Sequence, residues 1–255
     1  MSSKFRHKKS LGQHFLVDDH ISEQIVNSFI TSCSTKTILE IGPGKGVLTE
    51  HLYAHSDLDY HLSEADFRLF DYLSGNYSQA TLHEGDFLKQ DWSQIFKGKF
   101  SIIGNFPYNI SSQIIFKVLE MRERVPLLVG MFQKEVADRI ASEKGSKTYG
   151  ILSVMTQSYF RCEKVLDVGK EAFDPPPKVN SSVIKLIRLP KDPDIDYEVL
   201  RMVVKAAFNQ RRKKVSNALK GLMVQYEIES IPYADLRAEQ IGLEEFIDLS
   251  QRFTR

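Results

Sequence analysis

The sequence predicts an α/β fold built on a mainly parallel sheet, followed by a small helical domain. Short apolar runs bounded by turn residues alternate with segments of helical periodicity from about residue 19 to residue 142. A Gly-rich turn follows the first apolar run, where a strand is expected to pass into a helix. Beyond Pro190 and Pro193 only helical periodicity remains. We therefore expect a sheet domain over residues 1–190 and a helical domain over residues 191–255.

Each predicted element has its own signal in the chain. A helix beginning at Asp18 or Asp19 places five apolar side chains on one face: Ile21, Ile25, Val26, Phe29 and Ile30. Apolar runs of strand length predict strands at residues 37–41, 58–63, 81–83, 100–104 and 127–132. Helical spacing predicts the intervening helices at residues 47–52, 67–73, 111–121 and 134–142. The same spacing predicts two helices of the C-terminal domain, at residues 200–208 and 215–222.

Composition excludes several classes of protein. A hydrophobic content of 42% predicts a globular core, and the formal net charge of +1 neither requires nor excludes a nucleic-acid partner. The two cysteines, Cys33 and Cys162, lack the spacing of metal ligands or of a disulfide framework, so we expect no metal and a reducing cytoplasm. No long apolar span or cleavage site is present, so neither secretion nor a membrane location is expected. We expect the protein to be monomeric.

The most informative feature is the tetrapeptide Asn105-Phe106-Pro107-Tyr108, which directly follows an apolar run. The exocyclic nitrogen of adenine is a poor nucleophile because its lone pair is delocalised into the ring. An Asn side-chain carbonyl and the backbone carbonyl next to a proline can accept its two N–H bonds, which concentrates the lone pair towards an electrophilic methyl group. Tyr108 can then stack on the base. The alternative is an ordinary strand-end turn with a buried tyrosine, and the tetrapeptide alone leaves both open.

A second pattern occupies the ends of three predicted strands. Glu40-Ile41-Gly42-Pro43-Gly44-Lys45-Gly46 follows a strand and opens a helix, so its backbone can approach a nucleotide-like ligand closely. Val47 stands where a dinucleotide fingerprint has its third Gly or Ala. Glu64 follows the next strand, where a carboxylate can accept both ribose hydroxyls, and Asp86 follows the third, where it can accept an adenine amino proton. Either acid alone is typical of a solvated loop, but together they favour an adenosyl ligand.

In this order and spacing, the motifs resemble those of S-adenosylmethionine-dependent methyltransferases that act on N6 of adenine. Lys9-Ser10-Leu11-Gly12-Gln13-His14-Phe15-Leu16 is similar to the opening motif of the small-subunit rRNA adenine dimethyltransferases, the KsgA-like family. Phe173-Asp174-Pro175-Pro176-Pro177-Lys178-Val179-Asn180-Ser181 resembles the later Phe-x-Pro-x-Pro-Lys-Val motif of that family. With Phe208-Asn209-Gln210-Arg211-Arg212-Lys213, the resemblance spans nearly the whole chain.

Three positions depart from the family pattern. His14 stands where the family often has Asn, Phe106 where Leu is commoner, and Asn180 where Asp is usual. None of these changes removes a chemical group that the chemistry needs, since a main-chain contact at position 14 would survive the substitution. For the side chain of His14, a purely structural role is the alternative to a functional one.

The resemblance implies a Rossmann-like S-adenosylmethionine-dependent methyltransferase sheet with a small C-terminal helical domain. It implies methyl transfer from S-adenosylmethionine, leaving S-adenosylhomocysteine, to a flipped-out adenine. The implied product is N6,N6-dimethyladenosine at two adjacent adenosines near the 3′ end of small-subunit (16S) rRNA. The implied partners are that rRNA and the assembling small ribosomal subunit, with a role in subunit biogenesis.

The resemblance also assigns site residues. The implied catalytic residues, which hold the target amine or sandwich its base, are Asn105, Pro107, Tyr108 and Phe173, with a core aromatic as the alternative for Phe173. The implied cofactor contacts are Gln13, His14, Leu16, Gly42, Gly44, Glu64, Asp86, Phe87 and Asn105. The predicted RNA contacts, all to phosphates, are Lys8, Lys9, Arg211, Arg212, Lys213 and Lys214. A solvated helix face is the alternative for the run 211–214.

Other functions remain as alternatives. A large-subunit rRNA adenine methyltransferase of the macrolide-resistance type shares the core motifs, although the segments 12–16 and 175–178 resemble the small-subunit group better. A DNA adenine methyltransferase is disfavoured because no target-recognition insert is evident. A ribosome-assembly factor that acts mainly by binding is a further alternative; the intact catalytic turn argues against a purely binding role but not against a dual one. A nicotinamide oxidoreductase is the weakest alternative because of Val47.

Overall fold

The structure, a computed structural model, describes residues 12–254. Its strands are β1 (Phe15–Leu16), β2 (Thr37–Ile41), β3 (Asp59–Glu64), β4 (Thr81–Glu84), β5 (Ser101–Asn105), β6 (Leu127–Gln133), β7 (Phe160–Val168), β8 (Phe173–Asp174) and β9 (Ser181–Arg188). Its helices are α1 (Asp19–Ile30), α2 (Val47–Leu52), α3 (Phe67–Asn76), α4 (Trp92–Ile95), α5 (Ser111–Glu120), α6 (Lys134–Ile140), α7 (Ile151–Gln157), α8 (Tyr197–Asn209), α9 (Val215–Ala218), α10 (Lys220–Gln225) and α11 (Leu243–Gln251). Within the described part of the chain, no helix is both long enough and apolar enough to span a membrane.

A seven-stranded sheet in the order β4-β3-β2-β5-β6-β9-β7 forms the centre of the fold. Neighbours from β4 to β6 pair in parallel, whereas β9 runs antiparallel to β6. The predicted α/β class with a mainly parallel sheet is confirmed. Because parallel strands end at the same edge of a sheet, the segments after β4, β3, β2 and β5 meet along one edge.

A separate two-stranded sheet joins two segments that are distant in sequence. β1 pairs antiparallel with β8, with Leu16 opposite Phe173 and Phe15 opposite Asp174. The backbone N–H of Val17 extends this pairing by donating to the Ala172 carbonyl at 2.9 Å. Residues 15–17 are therefore held beside the segment that precedes β9.

Helix α1 and the large sheet share one hydrophobic core. Ile25, Val26 and Phe29 of α1 are buried with Ile38 of β2 and Val129 of β6. Asp18 caps α1, as the sequence predicts, because its side chain accepts a hydrogen bond from the Ile21 N–H at 3.1 Å. The apolar face of α1 thus packs against the sheet.

Strands β7 and β9 have no counterpart among the predicted elements. β7 is the last strand of the sheet, and most of its side chains are partly exposed, so no continuous apolar run marks it. β9 begins with two serines and carries Lys185 and Arg188, which interrupt its apolar residues. Partly exposed charged side chains in β7, and two buried serines with Lys185 and Arg188 in β9, therefore interrupt the apolar runs by which a strand is predicted.

The described chain divides into two compact units. The first ends at Ala137 and resumes over Glu163–Arg188; the second comprises Asp138–Cys162 and continues from Leu189. In the second unit, the Tyr149 ring meets the Phe208 ring edge-on at 5.9 Å, and Phe208 stacks on Phe246 at 5.6 Å. These aromatic contacts group the segment 138–162 with the C-terminal helices, whereas the sequence analysis assigned it to the sheet domain.

Phe106 anchors the turn that follows β5. Its side chain is buried between two glycines, Gly104 of β5 and Gly130 of β6, and its ring lies 5.0 Å from that of Phe132. A Cβ atom on Gly130 would lie 2.0 Å from the Phe106 ring, closer than any real contact. The absence of a side chain at position 130 thus gives the Phe106 ring its place in the core.

We predict that Gly130→Ala destabilises the protein by about 1–3 kcal/mol, because the added methyl group overpacks the core and displaces Phe106. Gly75→Ala is the matched control, since a Cβ there meets nothing within 4 Å and the residue lies within helix α3. That variant should be more stable by about 0.5–1 kcal/mol. Urea unfolding of both variants measures the difference, and equal stability of the two would contradict this account of Phe106.

Candidate functional site

A cavity of about 320 Å³ lies at the strand-end edge of the first unit. All the residues predicted to contact a cofactor line it: Gln13, His14, Leu16, Gly42, Gly44, Glu64, Asp86, Phe87 and Asn105. Pro107 and Tyr108 line it as well. The structure therefore brings together segments that follow β2, β3, β4 and β5, and adds a wall from the segment around β1.

The Gly-rich turn between β2 and α2 forms one wall of the cavity. Gly44 has φ +61°, a left-handed conformation that favours glycine, and a Cβ there would lie 3.1 Å from the Phe15 ring. The Lys45 ammonium lies 4.8 Å from the centroid of the same ring, within the range of a cation–π interaction. Glycine at position 44 thus lets Phe15 pack directly on the turn.

Glu64, at the end of β3, is held by the backbone. Its carboxylate accepts hydrogen bonds from the Gly44 N–H at 3.2 Å and from the Asp66 N–H at 2.9 Å. The side chain is 5% exposed, and burial raises the pKa of this carboxyl although the backbone hydrogen bonds oppose that change. Each carboxylate oxygen still has a lone pair for a ligand hydroxyl.

Asp86 and Phe87 follow β4 at the neighbouring strand end. One carboxylate oxygen of Asp86 accepts from the Leu88 N–H at 3.0 Å, which leaves the second oxygen as an acceptor beside the cavity. Phe87 is buried and stacks on Trp92 with ring centroids 5.4 Å apart. An acceptor and an apolar ring therefore stand side by side, as a purine with an exocyclic amine requires.

Asn105, the last residue of β5, is oriented by the main chain of His14. Its side-chain amide nitrogen donates to the His14 carbonyl at 3.0 Å. Because a carbonyl only accepts, the amide NH₂ must face His14, and the Asn105 carbonyl oxygen is directed elsewhere. The contact is through the backbone at position 14, so it does not depend on the histidine side chain.

The carbonyls of the turn differ in availability. The Pro107 carbonyl accepts from the Ile110 N–H at 3.2 Å and from the Ser111 hydroxyl at 3.0 Å, so both of its lone pairs are used at the start of α5. The Phe106 carbonyl precedes the proline and shows no such bond within the described residues. It is therefore a backbone acceptor of this turn that remains for a ligand.

Tyr108 is held at its hydroxyl and on one face. Its hydroxyl lies 2.5 Å from that of Ser181, and the His14 ring stacks on it with centroids 5.5 Å apart and planes inclined by 27°. Burial raises the pKa of the Tyr108 hydroxyl, so it is a neutral hydrogen-bonding group. The ring remains partly exposed beside the cavity.

Phe173 is placed differently from the other predicted catalytic residues. It does not line the cavity, is 2% exposed, and packs in the hydrophobic core with Leu16 and Val183. In this conformation it has no free face for a base, which agrees with the core alternative for this residue. Its pairing with Leu16 across β1 and β8 explains the burial.

Sequence reasoning assigned no role to Glu40, although it stands at the start of the Gly-rich motif. This residue lines the cavity, is 1% exposed, and accepts a hydrogen bond from the Thr49 hydroxyl at 2.7 Å. Burial, with a smaller contribution from nearby Glu64, raises the pKa of Glu40 to about 8. A carboxyl residue inside an otherwise apolar strand was the available signal.

In the second unit, the basic run 211–214 contains two different kinds of side chain. Arg211 donates to the Ser146 carbonyl at 3.2 Å and lies 3.7 Å from Glu239, and Lys214 forms an ion pair with Asp235 at 2.8 Å. Arg212 and Lys213 are exposed. The run therefore combines two cations that have partners, of which Lys214 is itself exposed, and two exposed cations whose side chains have no partner among the described residues. Lys8 and Lys9 lie outside the described residues.

Comparisons with known proteins agree on one family. A sequence model described as "Ribosomal RNA adenine dimethylase" matches residues 4–253. The protein named ribosomal RNA small subunit methyltransferase A from Cytophaga hutchinsonii is 46% identical over 255 residues, which cover 97% of each chain. Its namesake from Parabacteroides distasonis is 45% identical over 95% of this chain and 92% of its own.

Solved structures show the same fold. A dimethyladenosine transferase from Plasmodium falciparum has a TM-score of 0.77 at 24% identity, over 92% of this chain and 96% of its own. The 23S rRNA methyltransferase ErmE has a TM-score of 0.63 at 25% identity, over 94% of this chain and 100% of its own. The family match over residues 4–253 and the two relatives above 40% identity confirm the resemblance that the motifs indicate. This chain belongs to the ribosomal RNA adenine dimethylase family.

Proposed function

We propose that this protein transfers methyl groups from S-adenosylmethionine to N6 of adenosines in small-subunit rRNA, forming N6,N6-dimethyladenosine. The observation that carries the proposal is the position of the turn 105–108 beside a cavity whose other walls hold Glu64 and Asp86. The two relatives named small-subunit methyltransferases are 46% and 45% identical over nearly the full chain, against 25% for ErmE, which favours the small subunit. We propose two adjacent adenosines near the 3′ end as the targets.

The residues of the cavity fit S-adenosylmethionine. The ribose offers two hydroxyl donors and the adenine an amino donor, and Glu64 and Asp86 supply acceptors at neighbouring strand ends. Phe87 supplies an apolar wall beside Asp86, and Gly42 and Gly44 let backbone approach. When bound, S-adenosylmethionine supplies a methyl group on a sulfonium, which is a strong electrophile.

The turn 105–108 orients the target amine. We assign the Asn105 carbonyl oxygen and the Phe106 carbonyl to accept the two amino protons, since the Asn105 NH₂ and the Pro107 carbonyl are occupied. Pro107 fixes the direction of the Phe106 carbonyl by restricting the backbone. The free face of Tyr108 stacks on the base. Orientation of the reacting groups can lower the activation free energy by roughly 7–11 kcal/mol. No covalent enzyme intermediate is needed.

For the RNA, we propose phosphate contacts at Arg212 and Lys213, because both are exposed and neither side chain has a partner among the described residues, whereas Lys214 is exposed but paired with Asp235. Arg211 and Lys214 support the surface through Ser146, Glu239 and Asp235. We further propose that Lys8 and Lys9 contribute to RNA binding, that the protein acts as a cytoplasmic monomer, and that its partner is the assembling small subunit.

The proposal predicts that wild-type protein and S-adenosylmethionine convert undermethylated small subunits to subunits containing N6,N6-dimethyladenosine. Mass spectrometry of digested nucleosides measures this product. Asn105→Ala should slow the single-turnover transfer by about 10²–10³, because an oriented hydrogen-bond acceptor is lost. Its cofactor affinity should fall by much less than its rate.

Asn76→Ala is the matched control for that experiment, since Asn76 is exposed at the end of α3 and lies outside the cavity. It should transfer methyl groups at the wild-type rate. If dimethyladenosine formed only in large subunits, the proposed substrate would be wrong. Full-rate transfer by a folded Asn105→Ala protein would exclude the proposed orientation of the amine.

The cofactor assignment predicts that Asp86→Asn weakens S-adenosylhomocysteine binding roughly 5- to 150-fold, equivalent to about 1–3 kcal/mol for an unsatisfied polar group. The amide oxygen of the variant can still accept from the Leu88 N–H, which leaves an NH₂ group facing the adenine amine. Asp91→Asn is the control, because Asp91 makes the same kind of turn to the Ser93 N–H but does not line the cavity. Calorimetry that finds equal affinity in both variants would remove Asp86 from the site.

The two kinds of cation in the basic run predict different salt effects. A double variant, Arg212→Gln with Lys213→Gln, should lower the salt dependence of RNA binding by roughly one unit of slope per lost contact. Arg211→Gln with Lys214→Gln removes the same charge and should change the slope less. Filter binding to small-subunit rRNA at several salt concentrations measures both slopes; identical slopes in the two double variants would mean that only net charge matters.

A further inference from the structure

We propose that His14 and Ser181 act as positioning residues that lock the Tyr108 ring and leave one of its faces open to the target base. The inference rests on the proposed function, in which Tyr108 stacks on the flipped adenine. Because Phe173 is buried in the core, Tyr108 alone supplies a stacking ring for the base, in place of the expected sandwich between Tyr108 and Phe173. Both positioning residues belong to the first unit, as does Tyr108.

The hydroxyl end of the ring is fixed by Ser181. This serine is 0% exposed and is the first residue of β9, where it lies opposite Gln133 of β6. Because a strand of the central sheet carries the Ser181 hydroxyl, its hydrogen bond sets the direction of the Tyr108 side chain relative to the sheet. A tyrosine ring has two soft torsions, and a hydrogen bond at its far end restricts both.

One face of the ring is covered by His14. The Nδ1 atom of His14 lies 2.8 Å from the Pro175 carbonyl, and since a carbonyl only accepts, Nδ1 carries the proton and donates. This bond stops the imidazole from turning away from the Tyr108 ring, on which it stacks. No second ring pairs with Tyr108 in the part of the chain that the structure describes. The opposite face is therefore the one available to a base.

Both anchors come from one segment. Pro175 holds His14, and Ser181 holds Tyr108, so the segment 173–181 fixes the platform at two points. Phe173 contributes to the same arrangement by pairing with Leu16 in the core. The segment 173–181 therefore supports the stacking ring of Tyr108, and the buried Phe173 packs this segment against the core.

A double-mutant cycle tests the link between Ser181 and Tyr108. Ser181→Ala and Tyr108→Phe should each lower the single-turnover kcat/KM on undermethylated small subunits by about tenfold, because each removes the same hydrogen bond. The double variant should lose no more than either single variant. Losses that multiply in the double variant would show that Ser181 acts by another route, and would overturn the proposal.

Ring replacement tests His14. His14→Ala should lower kcat/KM by about tenfold through loss of the stacked ring, whereas His14→Phe should recover part of that loss, because the flat ring returns without its hydrogen bond to Pro175. Equal losses in the two variants would overturn the assignment of His14. The Asn105 contact is unaffected, since it uses the main chain at position 14.

Cofactor affinity distinguishes a positioning role of Ser181 from a general distortion of the structure. Ser181 lies outside the cavity lining, so Ser181→Ala should bind S-adenosylhomocysteine as tightly as the wild type in calorimetry. A parallel loss of cofactor affinity would mean a general structural role and would overturn the proposal. If wild-type protein forms no dimethyladenosine, the proposed function fails; if it does and the cycle is multiplicative, only the positioning role fails.

Discussion

The hydrogen bond from the Gly44 N–H to the Glu64 carboxylate joins the ends of two neighbouring strands, and most of the site depends on it. Gly44 belongs to the turn after β2, and Glu64 ends β3. The same carboxylate accepts from the Asp66 N–H, and Asp66 accepts from the Gln13 side chain at 3.2 Å. Two buried acids, Glu64 and Asp66, therefore tie the Gly-rich turn, the end of β3 and the segment before β1 into one wall.

Burial of acids in this wall opposes their ionisation. The pKa of Glu40 and that of Glu64 are both raised, chiefly by desolvation, and hydrogen bonds from Thr49, Gly44 and Asp66 offset part of the effect. A wall of acceptors with few donors is unfavourable when it faces no partner. It becomes favourable beside a ligand whose outer groups are hydroxyls and an amine, as in the proposed adenosyl ligand.

The parts of the site that sequence predicts best are those fixed by strand ends. The Gly-rich turn, Glu64, Asp86 and Asn105 each follow an apolar run, and parallel pairing brings such ends together whatever the details of the helices. Contacts between distant segments escaped prediction, because no local pattern encodes them. The burial of Phe173 depends on its pairing with Leu16, and the partners of Arg211 lie far away in the chain. The same holds for β9, whose antiparallel partner is β6.

The segment Gln13–Leu16 links the two halves of the site, and this explains why so short a piece of chain carries so many contacts. The Phe15 ring packs on Gly44, on the proposed cofactor side, while the His14 carbonyl orients Asn105 and the His14 ring covers Tyr108, on the proposed target side. The backbone of β1 is in turn paired with β8 and with the flanking Ala172 carbonyl. A displacement of this segment would disturb the cofactor wall and the target turn together. Cavity and turn are therefore expected to respond as one unit, since they share a single support.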